Sequence, residues 1–222
     1  MLATEFVKKD RIQDTMKSLE KLQAGLMSDV NGLTDMVDAR TAATVERATQ
    51  LANQMLALAK VEQLRQQDDA GVVDLAEAVR SIALELAPLV AAKDLDFELQ
   101  TRPAPVQAHE WMLRELARNL LHNAIRHSPT GGALTVQVQD DGGAATLVVR
   151  DSGPGIPAEL AARLYQPFSA GAAGGSGLGL AICHEIVHAL GGAIDLENRQ
   201  RVGHIEGLVA TVRLPRATSQ TN

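Results

Sequence analysis

Glu115-Leu116-Ala117-Arg118-Asn119-Leu120-Leu121-His122-Asn123-Ala124 is the stretch on which the reading of this chain turns. Met112, Leu113, Leu116, Leu120 and Ile125 recur at helical spacing around it, which predicts a helix over His109 to His127 with one face in a core. Asn119 and Asn123 are four residues apart, so they stand one turn above the other on the same face. Two amide oxygens at that spacing can ligate a hard cation such as Mg²⁺, directly or through water. Taken alone, the pair reads first as a solvated face or a cap. Arg126 and His127 close the helix, where the dipole favours cations that can reach phosphates.

Two glycine-rich segments follow. Asp151-Ser152-Gly153-Pro154-Gly155-Ile156-Pro157 leaves a predicted strand with a carboxylate that can accept from an exocyclic amine, and its glycines let backbone approach a flat ligand. An ordinary Asp-Ser-Gly turn is the equally good bland reading. Ser169 to Gly179 holds five glycines in eleven residues and runs into a predicted helix, Leu178 to Leu190. Free amides at a helix N-terminus bind phosphate, against the plain alternative of a flexible loop. No Gly-Lys-Ser/Thr follows, and no Gly-x-Gly-x-x-Gly follows a strand, so neither a Walker nor a dinucleotide motif is present.

Outward from these segments the chain divides. Residues 4 to about 67 hold no proline and carry apolar residues at Ile12, Met16, Leu19, Leu26, Val30, Leu33 and Val37, then at Leu51, Met55, Leu58 and Val61. This predicts either a continuous coiled coil or, preferred here, a helical hairpin turning near Ser28-Asp29-Val30-Asn31-Gly32; either seam wants a partner, so a homodimer is expected. Arg65 to Val72 is polar, ends near glycine and reads as a linker. Beyond it come an amphipathic helix from Val73 to Ala91 capped by Asp74, a strand at Asp96 to Leu99, and strands at Ala133 to Val138 and Ala145 to Asp151 around a turn at Asp140-Asp141-Gly142-Gly143. A short helix at Pro157 to Tyr165 and strands at Ala193 to Glu197 and Leu208 to Leu214 complete an α+β fold, one mixed sheet with helices on one face.

The 222 residues carry 21 Lys and Arg against 27 Asp and Glu, a net charge of −6, which argues against a nucleic-acid or anionic-membrane partner. The single Cys183 lies in an apolar run and reads as a buried thiol. No stretch has the length of a membrane span and no leader pattern is visible, so a cytoplasmic chain is expected, with a parent protein that could be anchored in the inner membrane.

Glu-x-x-x-Asn-x-x-x-Asn-Ala, then Asp-x-Gly-x-Gly, then Gly-x-Gly-x-Gly-Leu, in that order, closely resembles the ATP-binding domain of sensor histidine kinases. Tyr165-Gln166-Pro167-Phe168 looks like that family's phenylalanine box, and Leu190-Gly191-Gly192 stands where the family commonly has His-Gly-Gly. The resemblance implies a two-layer α/β sandwich with a glycine-rich ATP lid, a pocket shared with gyrase, mismatch-repair and chaperone ATPases. It implies a helical dimerisation region at 1–67, a linker at 68–73, the ATP-binding domain at 74–216 and a tail at 217–222. It implies that Asn119 and Asn123 hold Mg²⁺ and phosphate as the catalytic and metal-binding pair, that Asp151 reads adenine, and that Gly153, Gly155 and Ile156 shape the adenine pocket. Arg126, His127, Ser176, Gly177, Leu178 and Gly179 join them as nucleotide contacts, with Gly175, Gly177 and Gly179 hinging the lid. The hydrolytic relatives carry a glutamate where this chain has Asn119; an amide cannot take a proton from water, so ATP is expected to be held for transfer rather than hydrolysed quickly.

The family's nucleophile is a histidine on the first helix of a dimeric hairpin. Here no histidine precedes His109, and Lys8-Lys9-Asp10-Arg11 occupies the expected neighbourhood. Either that helix has been replaced or truncated, as in a chimera of a kinase core, which is the preferred reading, or the protein has lost its own acceptor. The expected function is phosphoryl transfer from Mg-ATP to a histidine and then to a response regulator. The alternatives are a non-catalytic ATP-gated dimer and an anti-sigma-type serine kinase.

Overall fold

The computed structural model describes residues 16–25, 39–67, 69–161, 163–166, 177–201 and 204–217. Helix α1 is seen over residues 16–25 and helix α2 over Ala39–Arg65. The Gln23 side chain donates to Asn53 Oδ1 across the two helices. These residues are 30 apart; one continuous helix would hold them about 45 Å from each other, so α1 and α2 lie side by side as a hairpin. The Asn31-Gly32 turn expected between them lies outside the described residues.

The segment read as linker ends in structure. Gly71–Asp74 forms β1, paired antiparallel with β3, Pro105–Ala108. Neither short strand alternates strongly enough to stand out in the sequence. Asp74 then caps helix α3, Leu75–Ala92, as its position predicted: Oδ1 accepts from Ala76 N at 3.0 Å and also from Ala104 N at 2.8 Å. One carboxylate thus starts α3 and pins the chain that leaves β2, Asp96–Thr101. Helix α4 spans Glu110–His127, and β4, Ala133–Asp140, and β5, Ala144–Arg150, form the expected hairpin. The short α5, Ala158–Ala161, precedes the glycine-rich segment in the chain; α6 covers Gly179–Ala189, and β6, Ala193–Arg201, pairs with β7, His204–Pro215.

The main sheet has the order β2-β4-β5-β7-β6, with β2 and β4 parallel and the remaining pairs antiparallel. Period-two alternation sends Leu134, Val136, Val138, Leu147, Val149, Val212 and Leu214 to one face, where they are buried under α3, α4 and α6. The other face is polar and cross-linked: Gln137 donates to Gln100 at 2.9 Å and accepts from Arg150 at 2.6 Å. The outcome is the α+β two-layer sandwich read from the sequence. Helix α2 joins this core at its C-terminal end, where Ala57 and Val61 are buried and the Lys60 ammonium lies 4.4 Å from the centroid of the Trp111 ring. Leu22 and Met55, by contrast, are 61 % and 57 % exposed on the hairpin.

Asp74→Ala removes a helix cap and a second backbone partner together. It is expected to lower unfolding free energy by about 1–2 kcal/mol in urea denaturation.

Candidate nucleotide site

Helix α4 turns its apolar face, Leu113, Leu116 and Leu120, into the core and leaves Asn119 and Asn123 on its flank. The start of α6 comes directly against that flank. A Cβ on Gly179 would lie 3.1 Å from Asn119 Oδ1 and 3.5 Å from Asn123 Nδ2, so the close approach depends on glycine there. Leu178 beside it is fully buried and its carbonyl accepts from Ile182 N, opening the helix; its side chain is the anchor that sets this approach. Gly177 leads into it, and Ser176 lies outside the described residues. Of the phenylalanine box, Tyr165 and Gln166 are described, and the Tyr165 ring sits 4.8 Å from that of His184 on α6.

The second pole lies at the far end of α4, about 12 Å from Asn119 along the axis. Asp151 continues the β5 ladder, its N–H donating to Leu208 O at 3.0 Å, and its side chain is 5 % exposed. Gly153 N and Leu208 N donate to its Oδ1 at 2.7 and 3.1 Å. Among the described residues no bond falls on Oδ2. Burial pushes the Asp151 carboxyl up, and the two backbone donors pull against that shift. His127 lies beside this pole: its carbonyl would be 2.9 Å from a Cβ on Gly153, and burial, with Arg126 next, holds its imidazole below the usual histidine range. His122 is lowered for the same first reason. His127, expected from the sequence among the nucleotide contacts, has Asp151 and Gly153 as neighbours.

Several positioning residues had no sequence signal. Asn198, one residue beyond the strand expected at Ala193 to Glu197, clamps the loop after Gly155: Ile156 N donates to its Oδ1 at 2.7 Å and its Nδ2 donates to Ile156 O at 2.8 Å. Gly155 has φ of 70°, and a Cβ there would meet Asn198 Oδ1 at 2.5 Å. Gly207, at φ 155°, passes so close that a Cβ would lie 1.9 Å from Asp151 O. Lys93 closes the C-terminus of α4 by donating to the carbonyls of Ile125, Arg126 and Ser128 at 2.7 to 2.9 Å. Asn198, Gly207 and Lys93 all act across more than twenty residues of sequence, where periodicity carries no information.

Among the described residues no group of three or more His, Cys, Asp or Glu could hold a metal ion. A cation here would rest on neutral amide oxygens and on the oxygens of its own ligand. That donor set fits a hard ion carried by a polyphosphate rather than a transition metal.

A helix-covered mixed sheet with a buried carboxylate at one pole and paired asparagines facing a helix start at the other defines an ATPase-type nucleotide-binding domain. The profile of the "Histidine kinase-, DNA gyrase B-, and HSP90-like ATPase" family matches residues 108–218, and the chain belongs to that family. It is 32 % identical over 157 residues to the sensor protein kinase PmrB of Pseudomonas aeruginosa, covering 69 % of this chain and 33 % of PmrB. The mycobacterial sensor histidine kinase MprB superposes with a TM-score of 0.59 at 32 % identity, over 66 % of this chain and 97 % of that one. Full-length ShkA, solved in complex with AMPPNP, shares the fold over 91 % of this chain and 46 % of its own, with a TM-score of 0.68 at 23 % identity. The chain thus spans about a third of the length of PmrB. No described helix is long and apolar enough to cross a membrane.

Asn198→Ala strips both partners from Ile156 and is expected to cost about 1–2 kcal/mol of stability by thermal unfolding. A second expectation concerns pH. Because the folded-state pKa of Asp151 is raised, its contribution is fully present below the ordinary carboxylate range and is lost as pH rises through the raised value. Asp151→Asn has no such loss, so its Tm should gain on the parent's as pH rises from about 4 to 7.

Proposed function

We propose that this chain is the catalytic core of a two-component sensor histidine kinase, holding Mg-ATP between Asp151 and the Asn119–Asn123 pair and donating its γ-phosphoryl group to a histidine outside the described hairpin. The observation that carries the reading is the division of labour on Asp151: Oδ1 is spent on Gly153 and Leu208, leaving Oδ2 of this buried residue as an uncommitted acceptor for the exocyclic amine of adenine. The family's ATPase designation and the sensor kinases among its relatives support the same nucleotide.

Chemistry at the far pole follows from what Asn119 and Asn123 can and cannot do. Their oxygens suit Mg²⁺, which when bound neutralises phosphate charge. Neither amide can abstract a proton, so water in the pocket is not activated by this pair and the phosphoryl group persists until a nucleophile arrives. Transfer then rests on positioning: the bond from the γ-phosphorus to ADP breaks as one to an imidazole nitrogen forms. No histidine of this sequence precedes His109, so the acceptor imidazole is supplied from outside the described hairpin. Exposed Leu22 and Met55 support pairing of the hairpin with a second one. In this reading the phosphoryl group goes on to an aspartate of a response regulator, and the core works in the cytoplasm with any membrane anchor elsewhere in the parent protein.

The test is incubation with γ-labelled ATP and Mg²⁺, alone and with a pairing kinase core that has an acceptor histidine and a dead pocket. The expected result is acid-labile, base-stable label on the partner only. Label on this chain would overturn the assignment of a separate acceptor, and no label despite bound ATP and proven pairing would favour a nucleotide-gated dimer. Asp151→Asn, which puts an NH₂ where Oδ2 stood, should cut ATP affinity by about tenfold or more while the fold persists, read by calorimetry.

A further inference from the structure

Glu115 stands one turn before Asn119 on α4 and serves neither the core nor the cap of that helix. Its neighbours Arg114 and Arg118 look the other way, both to Glu85 on α3, with Arg114 also donating to Ser81 Oγ at 2.6 Å. Glu115 is therefore left to Asn119. Asn119 Nδ2 donates to the Glu115 side-chain Oε1 at 2.8 Å and to the Glu115 carbonyl at 2.9 Å. An amide nitrogen has two hydrogens, so both are engaged. The carboxylate sits in the α4–α6 seam: on α6 the thiol of Cys183 is pushed up first by burial and next by the Glu115 charge.

The consequence is an orientation. With Nδ2 held toward Glu115, Oδ1 is the Asn119 atom that faces Gly179, 3.1 Å from where its Cβ would be. Turning the amide over would break both bonds and set Oδ1 against two acceptors of Glu115. It would also aim an NH₂ at the start of α6, where a cation would be repelled and only an acceptor welcomed. We propose that Glu115 is a positioning residue of the nucleotide site, fixing the amide of Asn119 so that its oxygen faces the place where a Mg²⁺ carried by the phosphates would sit. The proposal rests on the pocket reading above. It gives Glu115 a role other than general base: its carboxylate is engaged by Asn119 rather than aimed at the reacting groups.

The test uses the full chain, with ATP titrated calorimetrically in Mg²⁺ and again in EDTA. Glu115→Leu removes the acceptor and keeps bulk, with Glu115→Met as the substitute if the leucine variant does not fold; Glu115→Gln keeps an oxygen at Oε1. The expected result is Mg-ATP binding weakened by about 3- to 10-fold in Glu115→Leu, unchanged binding in EDTA, and recovery to within about twofold in Glu115→Gln. Added to Asn119→Ala, Glu115→Leu should have no further effect. Parent-like Mg-ATP binding by Glu115→Leu, an equal loss in EDTA, a glutamine variant as weak as the leucine one, or an undiminished effect on the Asn119→Ala background would each overturn the proposal. Asn119→Ala and Asp151→Asn both binding Mg-ATP as the parent does would instead overturn the pocket itself.

Discussion

The structure of the site depends on one buried carboxylate. Asp151 directly follows β5, and its backbone and side chain together hold three groups: Leu208 O through its own N–H, and Leu208 N and Gly153 N through Oδ1. Those bonds join the central strand pair to the loop that follows and set the path of Gly153 to Ile156. Gly207 is required because the β7 backbone passes hard against Asp151 O, and Arg199 adds a donor to the same carbonyl at 3.3 Å. Burying the charge opposes folding, and the two backbone donors offset part of that cost. A group kept buried against such a penalty, with one oxygen uncommitted, offers an acceptor to a ligand's donor.

Helix α4 transmits this arrangement to the other pole. Its apolar face is locked into the sheet by Leu113, Leu116 and Leu120, and its C-terminus is closed by Lys93, so the helix is held at both ends of the polar flank. The distance between the Asp151 pole and the asparagines is then the rise of two helical turns. A rigid ruler of that kind suits a ligand with a flat base at one end and charged oxygens at the other. The start of α6, anchored by Leu178, brings its backbone to the second pole from the far side of the glycine-rich segment.

The hairpin and the sandwich meet through a small contact, Ala57 and Val61 under α2 with Lys60 over Trp111. A limited, partly polar junction of this kind allows one unit to be repositioned on the other. The same junction lies against α6.

Local chemistry in the sequence by itself determined much of this protein. The alternation of Leu134, Val136 and Val138, the helical spacing of Met112 to Ile125, Asp74 as a cap and the order of the asparagine and glycine motifs specify an α+β sandwich with a nucleotide pocket, because each depends on neighbours within one or two turns. The choice between hairpin and continuous coiled coil was open in the seam pattern, since both keep the same periodicity, and only the Gln23–Asn53 contact decides it. The β1–β3 pair, Asn198 on Ile156, Gly207 against Asp151, Lys93 on the end of α4 and the direction of the Asn119 amide were likewise decided by tertiary structure. Most of these are contacts between residues tens of positions apart; the last is a choice between two rotations of one amide. Side-chain patterns encode which face is buried, not which distant polar group will be waiting there.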